Sequence, residues 1–231
     1  MEAQPAREAK ALARLIGAEE AVALCVADGM TLMVGGFGLV GAPLTLIHAL
    51  NGSPRRELTI ISNNLGEAGK ALGETLRLGK VRRAIGSFFT SNPEVAEARA
   101  RGAIEVTLIP QGTFAEAIRA SGAGLGGFYT PTGVGTLLAE GKEVREIGGK
   151  RYLFQEPLRA DVALVRAHQA DRLGNLVYYK TARNFNPMMA TAAAVVIAEV
   201  DEVVEVGRLD PEAIVTPHLY VKYLVLAKET L

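Results

Sequence analysis

The segment TLMVGGFGLVGAPLTLIHAL, residues 31–50, predicts an apolar strand that passes through a glycine-rich turn into a helix. Gly36, Gly38 and Gly41 have the G-x-G-x-x-G spacing of turns that hold a dinucleotide's pyrophosphate. Pro43, however, suits the first turn of a helix, so Gly41 precedes the helix instead of lying within it. We expect the glycines to let backbone approach a ligand or another chain closely, or to form a tight turn without a ligand.

A dinucleotide site also needs an acidic residue about 20 residues later, which bonds the ribose hydroxyls. The next predicted strand ends in IISNN, residues 60–64, and has no carboxylate at its tip. The interpretation of the chain as an NAD-dependent dehydrogenase therefore rests on glycine spacing alone, and we disfavour it.

The order of strand, turn and helix repeats through the first half of the chain. Strands are predicted at residues 31–34, 58–62, 81–85 and 104–109, and helices at residues 19–27, 43–50, 70–78 and 94–101. This alternation favours right-handed crossovers and a parallel sheet. The predicted fold class is α/β, with an open, largely parallel sheet flanked by helices.

The pattern changes after Gln111. Residues 121–136, SGAGLGGFYTPTGVGT, contain six glycines and one proline, which predict an ordered or gating loop. A hairpin is predicted around Gly148 and Gly149, a second turn at residues 173–175, and a strand buried on both faces at residues 192–200. We predict an N-terminal extension at residues 1–14 and one domain at residues 15–231, with β-hairpins inserted in its C-terminal half.

Composition excludes several classes of function. Lys plus Arg and Asp plus Glu both number 25, so the chain has no basic excess for nucleic acid or an anionic membrane surface. No apolar run approaches the ~20 residues that span a bilayer, and no signal peptide is evident. The single Cys25, predicted to be buried, suits a reducing compartment, so we predict a cytoplasmic protein.

The histidines favour no metal site. His48, His168 and His218 are far apart in sequence, with neither an i, i+4 pair nor a cysteine companion. We interpret all three as structural and predict no metal.

The segment DGMTLMVGGFGLVGAP, residues 28–43, resembles the N-terminal signature of the family I CoA-transferases. The resemblance continues through SNN (62–64), PQGT (110–113), GAGLGGFYTPTGVGT (122–136), EVRE (143–146) and ARNFN (182–186). It covers nearly everything after about Leu15 and is closest to the alpha (A) subunits of the 3-oxoacid, succinyl-CoA:acetoacetate type. It implies an open α/β sheet.

The resemblance also implies an activity: transfer of CoA from succinyl-CoA to a 3-oxo acid such as acetoacetate, as in ketone body metabolism. Coenzyme A would be a substrate, with no separate cofactor. The resemblance implies that a glutamate attacks the thioester, giving an acyl-glutamyl anhydride and then a glutamyl-CoA thioester, and that this glutamate belongs to the beta subunit or to the C-terminal half of a fused chain. The local candidates lie in sequence contexts typical of helix starts or solvated faces: Glu67, Glu94, Glu116 and Glu156. The chain is therefore expected to be inactive alone and to form a hetero-oligomer.

Gln111 is the candidate catalytic residue of this chain. It follows an apolar strand and precedes a helix, so its amide should lie at the carboxyl edge of the sheet, where open α/β sheets bind ligands. A neutral NH₂ group there can donate to a developing oxyanion. The match to the family's PQG glutamine implies the same role; a helix cap or turn residue is the alternative.

Substrate-binding residues are expected at the same edge. The amides of Asn63 and Asn64 could bind the acceptor's carboxylate or 3-oxo group, as the resemblance implies most strongly for Asn63, whereas Asn64 equally suits a turn. Gly36, Phe37 and Gly38 would place their backbone near the acyl group and the partner's glutamate.

The glycine-rich loop is expected to complete the acyl pocket. Phe128, Tyr129 and Thr130 could form its wall, or could pack locally. Residues 125–127, LGG, replace a proline-containing sequence common in the family, which should loosen this loop. Residues 183–186 are expected to organise the turn before Pro187.

A rival interpretation of another class is a non-catalytic module that senses a sugar phosphate or an acyl-CoA. The absence of a matching nucleophile in this chain favours this interpretation. Related open sheets also serve as ligand-binding domains. Tight binding of a small molecule by the isolated chain would favour the sensor, and activity that appears only with a partner would favour the transferase.

Overall fold

The computed structural model describes residues 12–228. The strands are β1 (Arg14–Leu15), β2 (Thr31–Val34), β3 (Leu58–Ile61), β4 (Val81–Gly86), β5 (Glu105–Leu108), β6 (Phe128–Thr130), β7 (Val144–Ile147), β8 (Lys150–Gln155), β9 (Ala160–Asp171), β10 (Leu176–Val177), β11 (Ala193–Val204) and β12 (Tyr223–Leu226). The α-helices are α1 (Ala18–Cys25), α2 (Leu44–Gly52), α3 (Leu72–Arg77), α4 (Pro93–Ala100), α5 (Gln111–Gly122) and α6 (Asn186–Thr191).

The main sheet confirms the predicted fold class. Among residues 12–228, eight parallel strands lie in the order β1-β12-β11-β9-β2-β3-β4-β5, and β10 pairs antiparallel with β9. A separate antiparallel sheet has the order β6-β8-β7, and the hairpin between β7 and β8 turns at Gly148 and Gly149 as predicted. The parallel order brings the carboxyl ends of β2 to β5 to one edge.

Apolar side chains cover both faces of the main sheet. Leu32 and Leu164 belong to a buried cluster with helices α1 to α4, whereas the adjacent Met33 and Val165 belong to a second cluster with α5 and α6. A parallel sheet enclosed in this way needs apolar residues at successive strand positions. This requirement explains the continuous apolar runs from which the strands were predicted.

The prediction of one loop over residues 121–136 is wrong in two places. Ser121 and Gly122 complete α5, and residues 128–130 form β6, which pairs with β8. Aromatic and β-branched residues favour a strand. A Cβ at Gly127 would collide with the ring of Phe154, so glycine lets the two segments approach closely.

One other prediction is wrong and one stays a prediction. The boundary predicted between residues 14 and 15 falls within β1, which pairs with β12, and residues 1–11 of the predicted extension lie outside the described part of the chain, so the division into an extension and a domain stays a prediction. Cys25 is partly exposed instead of buried. In residues 12–228 no helix has the length and apolar character required to cross a membrane.

Candidate active site

Three polar side chains meet where β3, β4 and β5 end. Asn63 Nδ2 donates to Gln111 Oε1 at 3.0 Å and to Ser87 Oγ at 3.1 Å. The Ser87 hydroxyl also donates to Gln111 Oε1. The structure therefore brings together two predicted site residues and adds Ser87, which was not predicted from the sequence.

The NH₂ group of the Gln111 side chain is positioned to donate a hydrogen bond. Gln111 is the first residue of α5, follows the N-cap residue Pro110 and is exposed. Its side chain bonds Asn63 and Ser87 and does not cap its own helix. Nε2 has no hydrogen-bond partner among residues 12–228. An unpaired NH₂ group at this edge can donate to a ligand without a change in protonation.

The two predicted asparagines have different surroundings. Asn63 is 1% exposed, and both of its amide hydrogens are used by its two neighbours. Asn64 Oδ1 accepts from the Gly66 N–H at 3.3 Å, which is the local turn bond expected of an asparagine. Direct contact of either side chain with a substrate stays a prediction.

The glycine-rich turn lies beside these asparagines. Gly36 and Gly38 line a narrow crevice with Asn63 and Asn64. Phe37 donates its N–H to the Val40 carbonyl in the turn, and its side chain is 55% exposed. The turn thus presents backbone and one aromatic ring at the same edge as Gln111.

Two asparagines from the segment that leads into α6 and includes its first residue hold the glycine-rich turn in place. Asn184 Oδ1 accepts from the Gly36 N–H at 3.2 Å, and Asn186 Nδ2 donates to the Gly41 carbonyl at 2.9 Å. A Cβ at Gly35 or Gly41 would collide with this segment. Close backbone approach therefore accounts for these two glycines, and residues 183–186 organise more than their own turn.

Replacing Gly41 by alanine should test this close approach. Gly41 has φ +70° and Gly29 has φ +78°, so alanine is strained at both, by about 1–2 kcal/mol. At Gly41 alone the added Cβ would also meet the Ala182 carbonyl, whereas nothing lies within 4 Å at Gly29. We expect Gly41→Ala to lower the free energy of unfolding by about 1–3 kcal/mol more than Gly29→Ala, measured by urea denaturation. Equal losses would contradict the close approach.

Phe128 and Thr130 lie in the small sheet. They pair with Gln155 and Leu153 of β8, and the neighbouring Tyr129 donates its hydroxyl to Glu143 at 2.5 Å. These contacts fit the local-packing alternative. The role of Phe128 and Thr130 as a wall of the acyl pocket stays a prediction.

The glutamates that the sequence offers as nucleophiles are exposed or paired with cations. Glu94 accepts three hydrogen bonds from Arg77, at 2.9, 3.1 and 2.6 Å, and these contacts lower the pKa of its carboxyl. Glu116 is held by Arg119 in the same way, with the same effect on its pKa. Glu67 bonds Lys70, and Glu156 is exposed.

An ionic cluster between β9, β11 and α2 was not predicted from the sequence. Glu199 of β11 is completely buried; one carboxylate oxygen lies 2.8 Å from an Arg166 nitrogen, and the other accepts from the Leu46 N–H at 3.0 Å. Arg166 also pairs with Asp201, whose second oxygen lies 2.9 Å from His168 Nδ1. Glu199 thereby satisfies a backbone donor in the first turn of α2 from a distant strand.

Burial dominates the chemistry of Glu199. Desolvation raises the pKa of its carboxyl to about 7, although the Leu46 N–H, Arg166 and Thr45 lower it. A carboxyl with no solvent exposure cannot reach a thioester, so we interpret it as structural. The signal in the sequence was the charged residue inside the apolar run AVVIAEV, residues 194–200.

The described histidines have protein partners or neighbours. His168 contacts Asp201, and His218 Nδ1 lies 3.3 Å from Asn175 Oδ1. Within residues 12–228 no three His, Cys, Asp or Glu side chains are grouped as metal ligands.

Known proteins resemble the chain along most of its length. It is 51% identical over 202 residues to the alpha (A) subunit of the 3-oxoadipate CoA-transferase of Pseudomonas putida, with 87% of each chain covered. It is 48% identical over 203 residues to the alpha subunit of the acetate CoA-transferase of Escherichia coli K12, covering 88% of this chain and 92% of that protein. The alpha (A) subunit of a succinyl-CoA:3-ketoacid coenzyme A transferase of Xanthomonas campestris is 50% identical over 213 residues, covering 92% and 88%. These relatives are subunits of transferases.

A solved structure shows the same fold. An acyl-CoA transferase from Escherichia coli O157:H7, crystallised as a thioester complex with CoA, superposes with a TM-score of 0.84 at 23% identity. The match covers 95% of this chain and 48% of that one, so the chain corresponds to about half of the longer protein. Residues 16–227 match the protein family described as coenzyme A transferase. The chain therefore belongs to the coenzyme A transferase family, as its glycine-rich turn and PQGT motif predict.

Proposed function

We propose that the chain is the alpha (A) subunit of a hetero-oligomeric CoA-transferase that moves CoA from succinyl-CoA to a 3-oxo acid such as acetoacetate. The observation that carries the proposal is the unpaired NH₂ group of Gln111 at the carboxyl edge of the sheet, with its oxygen end held by Asn63 and Ser87. Such a donor can stabilise an oxyanion that forms at a thioester carbonyl.

The partner is a beta subunit that supplies the attacking glutamate. Four apolar side chains at the site edge are exposed: Phe37 and Phe88 are 55% and 54% exposed, Val40 48% and Leu108 50%. They follow or end the strands whose carboxyl edge carries Gln111. An exposed apolar rim of this kind favours contact with another protein.

In this proposal the partner's carboxylate attacks the acyl carbon of succinyl-CoA and CoA leaves as a thiolate, which gives an acyl-glutamyl anhydride. The thiolate then attacks the glutamyl carbonyl, succinate leaves, and the glutamyl-CoA thioester remains. This chain donates the Gln111 hydrogen bond while negative charge develops on the carbonyl oxygen. Coenzyme A is a substrate here, and the cycle needs no separate cofactor.

The names of the relatives bear on the identity of the acceptor. Relatives named for 3-oxoadipate and 3-ketoacids favour a 3-oxo acid, whereas the acetate enzyme defines the competing acceptor. We propose the 3-oxo acid, and with it a role in ketone body metabolism. A cytoplasmic location stays a prediction of the sequence.

Co-expression with a candidate beta chain tests the function. Transfer of CoA from succinyl-CoA should appear for the purified pair and be absent for either chain alone. Acetoacetate, 3-oxoadipate and acetate, compared as acceptors by kcat/KM, should rank the 3-oxo acids above acetate. A pair without transfer activity, or an isolated chain that binds acyl-CoA tightly in calorimetry, would instead support the sensing module.

A further inference from the structure

Ser87 occupies a position that the backbone fixes tightly. Its N–H and that of Phe88 both donate to the Asn63 carbonyl, at 3.2 and 3.0 Å. A Cβ at the preceding Gly86 would collide with the Ser62 carbonyl, so the segment after β4 crosses the end of β3 in close contact. The Ser87 hydroxyl is therefore placed by the main chain beside the amides of Asn63 and Gln111.

The hydrogens of this cluster favour one arrangement. Asn63 Nδ2 gives one hydrogen to Gln111 and one to Ser87, so the Ser87 oxygen acts as an acceptor and its own hydrogen goes to Gln111 Oε1. Asn63 Oδ1 is buried without a partner among residues 12–228. Turning the Asn63 amide over would bury two unpaired N–H hydrogens in place of one unpaired oxygen, which is less favourable.

We infer that Ser87 is a positioning residue, whose hydroxyl holds the oxygen end of the Gln111 amide inward so that Nε2 faces the substrate. The inference rests on the proposed role of Gln111 as oxyanion donor. Without the hydroxyl, Gln111 keeps one hydrogen bond, to Asn63, and Asn63 loses the acceptor for its second hydrogen. An exposed, rotatable side chain with one remaining contact spends less time in the donating orientation.

The test compares Ser87→Ala and Ser87→Thr in the purified pair with the beta chain. Ser87→Ala should lower kcat about five- to tenfold, the effect of one net hydrogen bond, with KM for succinyl-CoA unchanged. Ser87→Thr keeps a hydroxyl and should recover kcat to within about threefold. In a Gln111→Ala background, Ser87→Ala should add less than about twofold, because it acts through Gln111.

The outcomes separate this inference from the proposed function. If Gln111→Ala lowers kcat and Ser87→Ala leaves it unchanged, or if Ser87→Ala has its full effect without Gln111, Ser87 does not position the glutamine. If Gln111→Ala leaves kcat unchanged, the oxyanion role fails and the positioning role fails with it. Urea midpoints of all variants exclude a general loss of folding.

Discussion

Replacing Gln111 by alanine is expected to lower kcat by about 10² to 10³ in the assembled enzyme, because the variant lacks the hydrogen-bond donor for the developing oxyanion. An interaction made only in the transition state affects kcat and kcat/KM equally, so KM for succinyl-CoA should change little. Steady-state rates at several succinyl-CoA concentrations measure both quantities.

Gln111→Glu is the matched control. Glutamate keeps an oxygen that can accept from Asn63 and Ser87, so it retains the contacts at the inner end of the side chain. It replaces the outward NH₂ group by an oxygen that cannot donate when ionised. The loss of kcat should be at least as large as for alanine, with folding unchanged because residue 111 is exposed. A rate within about threefold of the unmodified enzyme would exclude Gln111 as the oxyanion donor.

Arg166→Met is expected to cause the largest loss of stability, about 3–5 kcal/mol at pH 8, because it leaves Glu199 buried without its cation. The Arg166 side chain is only 14% exposed, so water cannot replace it freely. Arg172→Met is the control, since its pair with Glu205 is exposed and should contribute at most about 1 kcal/mol. Adding Glu199→Gln to Arg166→Met should recover much of the lost stability. Urea denaturation of the unmodified protein, the two arginine variants and the double variant measures the free energies of unfolding. Similar losses for the two arginine variants would contradict the role of the Arg166–Glu199 pair.

The Arg166→Met defect should also depend on pH. Folding raises the pKa of Glu199 from 4.5 to about 7, so the folded protein binds the proton more tightly, and stability falls as pH rises through that range. Each pKa unit corresponds to about 1.4 kcal/mol. Without Arg166 the pKa rises further, and the decline continues above pH 7. The variant should therefore differ less from the unmodified protein at pH 5, where Glu199 is protonated in both, than at pH 8.

The fold was predictable from particular segments because each supplied its own local signal. The apolar run of β2, the turn glycines and Pro43 identify one strand-turn-helix unit, and its repetition indicates a parallel sheet. The strand at Phe128–Thr130 was hidden because glycines on either side resemble a loop. Of these glycines, Gly127 allows close approach to β8, a tertiary requirement that local patterns do not reveal.

The site was only partly predictable for a related reason. Gln111 and Asn63 follow strands, and the carboxyl ends of parallel strands meet at one edge, so their proximity could be predicted. Ser87 also follows a strand, but serine is common in turns and offered no further signal. The role of Glu199 could not be predicted, because its partners lie on β9 and α2, which are distant from it in sequence.

In the proposed enzyme this chain supplies the hydrogen-bond donor at the carboxyl edge of its sheet, while the partner supplies the attacking carboxylate. The most direct test is denaturing mass spectrometry of the assembled pair after incubation with succinyl-CoA and no acceptor. We expect covalently bound CoA on a glutamate of the beta chain, with an unchanged mass for this chain. CoA attached to a carboxylate of this chain would contradict this expectation.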